Sequence, residues 1–247
     1  MKFRFLIPIL PVVVLSATAA SIQTSVRCEA GPQYAMQIRT STTSCQVSFA
    51  VPEDSPFAGS SASALASARA DDSVQRAGYA YGFRVETLAE ASATQDYPPE
   101  LFQLSALSEA ASSLTEWFTT RGPIRDGFIG LLIEGYGGQS RTGLIEARAK
   151  VGPYSGVLRE PPVDGLFPFR LGVPFLVELS SHSSAENGFS MSIGHGDNEM
   201  AVYFTLYEAD GDGLVPVQAL SVPEPAGTAI IGILLMSLRL LRGKRRK

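Results

Sequence analysis

Residues 145–151 read IEARAKV, and apolar side chains alternate with charged ones along the whole stretch. Successive side chains of a β-strand point to opposite faces, so this period of two places one face in a core and the other in solvent. The same period recurs at residues 81–86, 189–193 and 200–206, where it puts Tyr203 and Thr205 on the solvent side. The pattern predicts half-buried strands rather than helices.

Short β-like segments occur along most of the chain between turn-forming residues. Further predicted strands are residues 34–40, 44–51, 128–134, 175–181 and 214–220. Gly, Pro, Asp and Asn punctuate the chain at residues 137–138, 160–162, 186–188 and 210–213, which predicts turns there. Many short strands with frequent turns predict an all-β fold, an antiparallel β-sandwich of jelly-roll type.

Two stretches do not show a clear strand pattern. Residues 60–77 are rich in Ala and Ser, which fits a small-residue strand, a helix or a mobile loop. In residues 101–120 the leucines are near helical spacing, and the only tryptophan, Trp117, lies close to the end. We interpret this second stretch as either a helix or a strand.

The N-terminus has the layout of a secretory signal peptide. Lys2 and Arg4 precede an apolar stretch at residues 5–15, and small residues follow at 16–20. We predict a signal peptide at residues 1–19, with cleavage after Ala19 or Ala20, and therefore passage through the Sec translocon and signal peptidase. The alternative is a retained N-terminal anchor, for which the run is shorter than the roughly 20 residues that a membrane span needs.

Charge is unevenly distributed between the ends and the body of the chain. Of the 20 basic residues, eight lie in the predicted signal peptide or at and after Arg239, while the 24 acidic residues lie between Glu29 and Glu224. The body, residues 20–220, holds 12 of the basic and 23 of the acidic residues and therefore carries a charge near −11, and it is long enough to form one domain. Such a surface repels nucleic acid, which we exclude as a partner.

Cys28 and Cys45 are the only cysteines and both belong to the predicted exported body. An oxidising compartment favours a disulfide between them, and closing a loop of this size stabilises the fold by about 3 kcal/mol. A metal site, for which other nearby ligands are lacking, or two buried free thiols are the alternatives.

The C-terminus contains an apolar segment followed by a basic tail. Residues 226–238 are uncharged, Arg239 interrupts, and the 16 residues 226–241 would rise about 24 Å as a helix, against about 30 Å of hydrocarbon. The segment thus predicts a weak, transient transmembrane helix. The basic residues that would keep the tail inside are Arg239, Arg242, Lys244, Arg245, Arg246 and Lys247.

A short motif precedes this segment. It consists of Val222, Pro223, Glu224 and Pro225. Motif, apolar run and basic end together resemble a PEP-CTERM sorting signal, over about a tenth of the chain. The resemblance implies an exported protein of a bacterium that makes extracellular polysaccharide, with residues 221–247 as a sorting signal processed by an exosortase. The early Arg239 departs from the family pattern because it shortens the apolar run.

No set of catalytic residues is identifiable. The only histidines, His182 and His195, do not form a zinc-ligand pattern, and residues 194–197 read as a turn. Residues 138–143 contain Ser140, but they match neither a Gly-x-Ser-x-Gly elbow nor a phosphate loop. We therefore expect no catalytic residues and no enzyme.

Residues 210–213, which read DGDG, are the best metal candidate. Asp210 and Asp212 could direct carboxylates to one Ca²⁺ ion, although the glutamate that completes a calcium loop is missing and a hairpin turn explains the residues equally well. A second binding hypothesis is a glycan face, formed by Tyr79, Tyr81, Tyr203 and Tyr207. Aromatic residues at strand spacing are more often packing pairs.

These observations predict a non-enzymatic, exported protein of the cell surface or exopolysaccharide matrix, without a required cofactor. It would contact the membrane transiently and an exosortase during sorting. A carbohydrate-binding module is the first alternative, and a secreted hydrolase is the second.

Overall fold

The computed structural model describes residues 20–95, 103–187 and 193–222. In these residues it contains fourteen strands and a single 3₁₀ turn at Gln33–Ala35. In chain order the strands are β1 (Ser21–Pro32), β2 (Gln37–Ser41), β3 (Ser44–Ala50), β4 (Ser61–Asp71), β5 (Tyr81–Thr94), β6 (Leu104–Thr120), β7 (Arg125–Gln139), β8 (Gly143–Val151), β9 (Tyr154–Val157), β10 (Val163–Leu171), β11 (Phe175–Asn187), β12 (Gly194–Asp210), β13 (Gly213–Val217) and β14 (Ala219–Val222).

The strands form two sheets that pack against each other. Sheet 1 has the order β2-β1-β6-β11-β8-β9, and β14 pairs with the end of β6. Sheet 2 has the order β10-β7-β12-β5-β4-β3, and β13 pairs with β12. All of these pairs are antiparallel. The chain changes sheet between β2 and β3, at every step from β5 to β8 and from β9 to β12, and between β13 and β14. The prediction of an all-β, antiparallel sandwich is confirmed.

The alternating stretch at residues 145–151 forms β8, and its apolar positions are buried while its charged positions are exposed. The two ambiguous stretches mostly form strands, β4 in the first, which continues as a loop after Asp71, and β6 in the second. In β4 the alanines face the core and the serines face outward, and in β6 the buried Leu104 and the half-buried Leu107 lie on opposite faces. The near-helical spacing of the leucines therefore did not indicate a helix.

Several boundaries differ from the sequence prediction. Residues 137–138 and 186–187 lie inside β7 and β11 rather than in turns, and the segment 194–197 begins β12. The prediction at 34–40 is partly a 3₁₀ turn, and the one at 214–220 is divided between β13 and β14. Strands β1, β9 and β10 were not predicted. The predicted strand at 189–193 falls almost wholly outside the described residues, and so do residues 1–19 and 223–247.

The outer face of β12 is covered, which the alternation did not predict. Tyr203 and Thr205 are buried because the loop after β4 folds over them and Val74 and Tyr79 pack on Tyr203. Gly82 permits this cover, since a Cβ atom there would lie 2.1 Å from the carbonyl oxygen of Val74. A central strand can thus be buried on both faces.

One half of the space between the sheets holds large side chains, and we call it the aromatic half. Its ring contacts centre on Phe204, which is fully buried and lies 5.6 Å from the ring of Phe118 and 6.1 Å from that of Phe83. Leucines, isoleucines and valines of both sheets complete this cluster. Such side chains supply most of the apolar burial that stabilises a sandwich.

The other half, which we call the alanine half, is built from small side chains. Of the sixteen buried residues in this cluster of the described chain, eleven are alanine, contributed mainly by β4, β5 and β6. The sheets approach closely here: the Ser112 hydroxyl on β6 donates a hydrogen bond of 2.7 Å to the carbonyl oxygen of Arg69 on β4 in the opposite sheet.

The predicted disulfide joins the two sheets within the alanine half. Cys28 on β1 and Cys45 on β3 are bonded, and their Cα atoms are 6.0 Å apart, against the ~10 Å that commonly separates packed sheets. Both residues are buried among alanines. The prediction of a structural disulfide is confirmed, and the metal and free-thiol alternatives are wrong.

Candidate functional site

The last described strand, β14, leads directly into the predicted sorting motif. It pairs with β6 so that Ser221 lies opposite Phe118 and Val222 opposite Trp117. Burial raises the pKa of Glu116 on β6, and a hydrogen bond to Ser221 partly offsets this. The motif residues Pro223, Glu224 and Pro225 and the basic tail lie outside the described residues, so their predicted role stays a prediction.

The two ends of the described body meet on one edge of β6. Ser21, the first residue of β1, is paired with Thr115, and Val222, the last residue of β14, is paired with Trp117. Both strands use the same edge of β6, end to end. The sites where the predicted signal peptide and the predicted sorting tail attach are therefore neighbours.

A polar groove of about 820 Å³ crosses the outer face of sheet 1. One row across the strands places His182 opposite Glu146, and the next row places Ser180 opposite Arg148. Arg148 Nε donates to Ser180 Oγ at 3.2 Å. The groove therefore presents an array of hydrogen-bond donors and acceptors.

Arg159, at the rim of this groove, has a backbone φ of 71°, in the left-handed region that side chains other than Gly rarely adopt. Of the described residues other than glycine, it is the one with a positive φ. Arg159 lies in the turn between β9 and β10. The backbone amide of Leu158 donates a hydrogen bond to Ala147 O at 2.9 Å, and this bond fixes the turn. A second guanidinium is thus held beside the groove.

A buried polar network lies beneath the groove, and no sequence pattern predicted it. Thr87 Oγ1 on β5 is 2.7 Å from Ser181 Oγ and 2.8 Å from Ser183 Oγ, both on β11. Asn198 on β12 donates to the backbone oxygen of His182 at 2.7 Å. Because isolated Ser and Thr residues read as ordinary solvent-facing positions, only the packing of β11 against the paired strands β5 and β12 of the opposite sheet reveals this cluster.

An apolar cleft of about 890 Å³ opens at the end of the aromatic half. It is bordered by Trp117 and Leu176, which are paired on neighbouring strands of sheet 1. Phe128 and three prolines also line it, with Lys150 and Arg170 among its charged residues. This cleft adjoins the position where β14 ends.

Ser140 and His195 come together, but through the backbone of His195 rather than its ring. His195 N donates to Ser140 Oγ at 2.8 Å, and Ser140 N donates to His195 O at the same distance. Both ring nitrogens of His195 face carboxylates: Nε2 is 2.9 Å from Asp197 Oδ1 and Nδ1 is 3.3 Å from Glu90 Oε1. This pairing of Ser140 with a backbone amide closes the β7–β8 turn onto β12.

Residues 210–213 form the hairpin turn between β12 and β13. Asp210 is paired with Gly213, and Gly211 has a φ of 59°, as the first position of a tight two-residue loop requires. Across the described part of the chain, no group of three or more His, Cys, Asp or Glu side chains is arranged to hold a metal ion. Asp210 and Asp212 are therefore placed as turn residues.

The four tyrosines of the glycan hypothesis do not share one face. Tyr81 lies between the sheets, where its ring is 5.0 Å from that of Phe204, and burial raises its pKa. Its hydroxyl donates to Ala219 O and accepts from Ala219 N, both at 2.9 Å. Tyr79 packs on Tyr203 at 6.1 Å on the outside of sheet 2, so these rings are packing pairs.

Comparisons of this chain with protein-family models, with curated proteins and with solved structures find no match. In the described ranges, no helix has the length and apolar character needed to cross a bilayer.

Proposed function

We propose that this chain is a non-enzymatic protein of the cell surface or the extracellular polysaccharide matrix, exported by its signal peptide and sorted by an exosortase through residues 221–247. The order of motif, apolar run and basic end at the C-terminus carries the proposal. The acidic, disulfide-bonded sandwich supports it, since a disulfide suits an oxidising compartment. The sheet order β5-β12-β7-β10 beside β6-β11 supports a jelly-roll sandwich for the body.

Mass spectrometry of the envelope and matrix fractions tests the sorting. In cells with an active exosortase we expect a mature chain that lacks residues 226–247, and replacing Pro223, Glu224 and Pro225 by alanine should trap the full-length form. Gln218→Ala, an exposed change just before β14, serves as the matched control and should be processed normally. An intact C-terminus in such cells would leave only a simple membrane anchor.

A second candidate function is binding of the cell's own polysaccharide in the polar groove. The rows that place Glu146 beside His182 and Arg148 beside Ser180 favour it, because sugar hydroxyls require such alternating donors and acceptors. Removal of a charge-assisted hydrogen bond by Arg148→Ala should weaken polysaccharide binding roughly tenfold. Lys150→Ala, two residues along the same strand, is the control and should change the affinity little in a co-sedimentation assay.

A further inference from the structure

We propose that the surface around Trp117 is seated on the lipid bilayer while the C-terminal segment is inserted, so that the body contacts lipid headgroups directly. This inference rests on the proposed function, because it takes residues 226–241 to be in the membrane before cleavage. The occupant of the apolar cleft is thus the bilayer surface.

The short connection between the sheet and the apolar run sets the distance. Val222 is still paired with Trp117 in the β6 ladder, and the apolar run begins at Ala226. The four residue steps from Val222 to Ala226 can reach about 14 Å when fully extended. Since the headgroup layer on each side of the hydrocarbon is roughly 5–7 Å thick, the body surface at Val222 lies within about 9 Å of the outer limit of the headgroups.

The N-terminal side leads to the same surface. Ser21 is paired with Thr115, two residues along β6 from Trp117. Before the signal peptide is removed, the body is therefore attached to the membrane next to this position as well. The two connections direct one and the same part of sheet 1 toward the lipid.

The chemistry of that surface suits lipid headgroups. In β6 the buried Phe118 faces the core, so Trp117 faces outward, in a row with Val222 on one side and Leu176 on the other. The row continues into the apolar cleft, where Val173 and Pro174 are exposed. Tryptophan prefers the membrane interface because its ring is apolar and its N–H still needs a polar partner.

The charges beside the row are also suitable. Lys150 is the only lysine between the predicted signal peptide and the basic tail, and it is exposed at the cleft. Arg170 borders the same cleft, 3.8 Å from Asp126. The body as a whole has an excess of acidic residues, but at this cleft the two basic residues Lys150 and Arg170 lie with the acidic Asp126. The long basic side chains can reach lipid phosphates.

The single tryptophan makes the inference directly measurable. The full-length chain is reconstituted into phosphatidylcholine vesicles, with or without bromine near the headgroup end of one acyl chain, and separated by flotation. We expect the protein to float with the vesicles, and Trp117 to lose roughly half of its emission in the brominated ones, as an indole at the headgroup level should.

A matched variant moves the probe to the opposite end of β6. Tyr34 is highly exposed beyond the start of that strand, so the double substitution Trp117→Phe with Tyr34→Trp should float equally well and keep its emission. Flotation without quenching of Trp117 would overturn the seating while leaving the membrane anchor intact. A chain that does not float at all would overturn the anchor and the seating together.

Discussion

Between the two sheets, one half of the core is built from phenylalanines and leucines and the other from alanines. The aromatic half gains its stability from large buried side chains such as Phe204, each contributing about 2–3 kcal/mol. The alanine half buries little area per residue, although alanine loses no side-chain entropy on burial. There the sheets approach closely enough for a disulfide and for hydrogen bonds from side chains to the opposite backbone.

The difference shows that a sandwich can be closed either by filling the space between its sheets or by removing that space. In the aromatic half, stability depends on the volume of individual buried side chains. In the alanine half, it depends on side chains small enough for the sheets to approach and on the disulfide that joins them. Substitutions in each half of the core separate the two cases.

The largest loss is expected at the centre of the aromatic half. Phe204→Ala removes a ring that contacts Phe83, Phe118 and Phe175, and should lower the free energy of unfolding by about 4 kcal/mol. Urea unfolding followed by Trp117 emission measures it. Phe204→Leu should lose less, and an equal loss for both would show that the ring contacts, rather than the volume, decide.

The disulfide comes next and tests the alanine half. Replacing Cys28 and Cys45 together by alanine should lower the free energy of unfolding by about 3 kcal/mol, because the unfolded chain is no longer constrained. Reductant should destabilise the natural chain by a similar amount and leave the double variant unchanged. A natural chain indifferent to reductant would contradict the expectation.

Adding volume tests whether the sheets of the alanine half are held by their close approach. Ala66 is fully buried there, and Ala66→Val should lower stability by about 2 kcal/mol because the sheets must move apart. Ala111→Val, on the outward face of β6, is the control and should be close to neutral. Tolerance of Val at position 66 would mean that the sheets are not held together by close approach.

The polar network between the halves should have a smaller effect. Thr87→Val keeps the shape but leaves Ser181 and Ser183 short of a partner, which should cost about 1.5 kcal/mol of stability. Thr94→Val, at the exposed end of the same strand, should change stability little. A neutral result at Thr87 would show that the remaining hydroxyls and Asn198 satisfy one another.

The smallest change is an expected gain. The hydroxyl of Ser108 is completely buried in the alanine half and has no hydrogen-bond partner among the described residues. Ser108→Ala should therefore raise the free energy of unfolding by about 1 kcal/mol in the same urea experiment. Ser112→Ala on the same strand should instead lower it, since Ser112 donates to Arg69 O.

The contrast between the halves also explains what the sequence could predict. In β8 and β5 the apolar and charged residues differ strongly in hydrophobicity, so the strand period was clear and the inward faces were correctly predicted. In β4 the alternation is between Ala and Ser, two small residues that give almost no contrast. The strand there was recognisable only once its neighbours were known.

The candidate sites depended still more on strand pairing. The disulfide was predicted because two cysteines in a body with a predicted signal peptide leave few alternatives. The polar groove was missed, since Arg148 and His182 are far apart in sequence and only the β8–β11 register places them on adjacent rows. The same holds for the meeting of Ser21 and Val222 on β6, which depends on two separate pairings.

The four-residue strand β14 has a mechanical consequence. Its last residue, Val222, is the one on which a tethered tail would pull, so tension opens its pairing with β6 as a zipper, one residue pair at a time. Release of Ala219–Val222 would lengthen the tether by about 14 Å. The remaining strands would stay paired, because β1, on the same edge of β6, is covalently joined to the opposite sheet through Cys28. The fold thus has a short segment that would extend under tension, in front of a body that would stay folded.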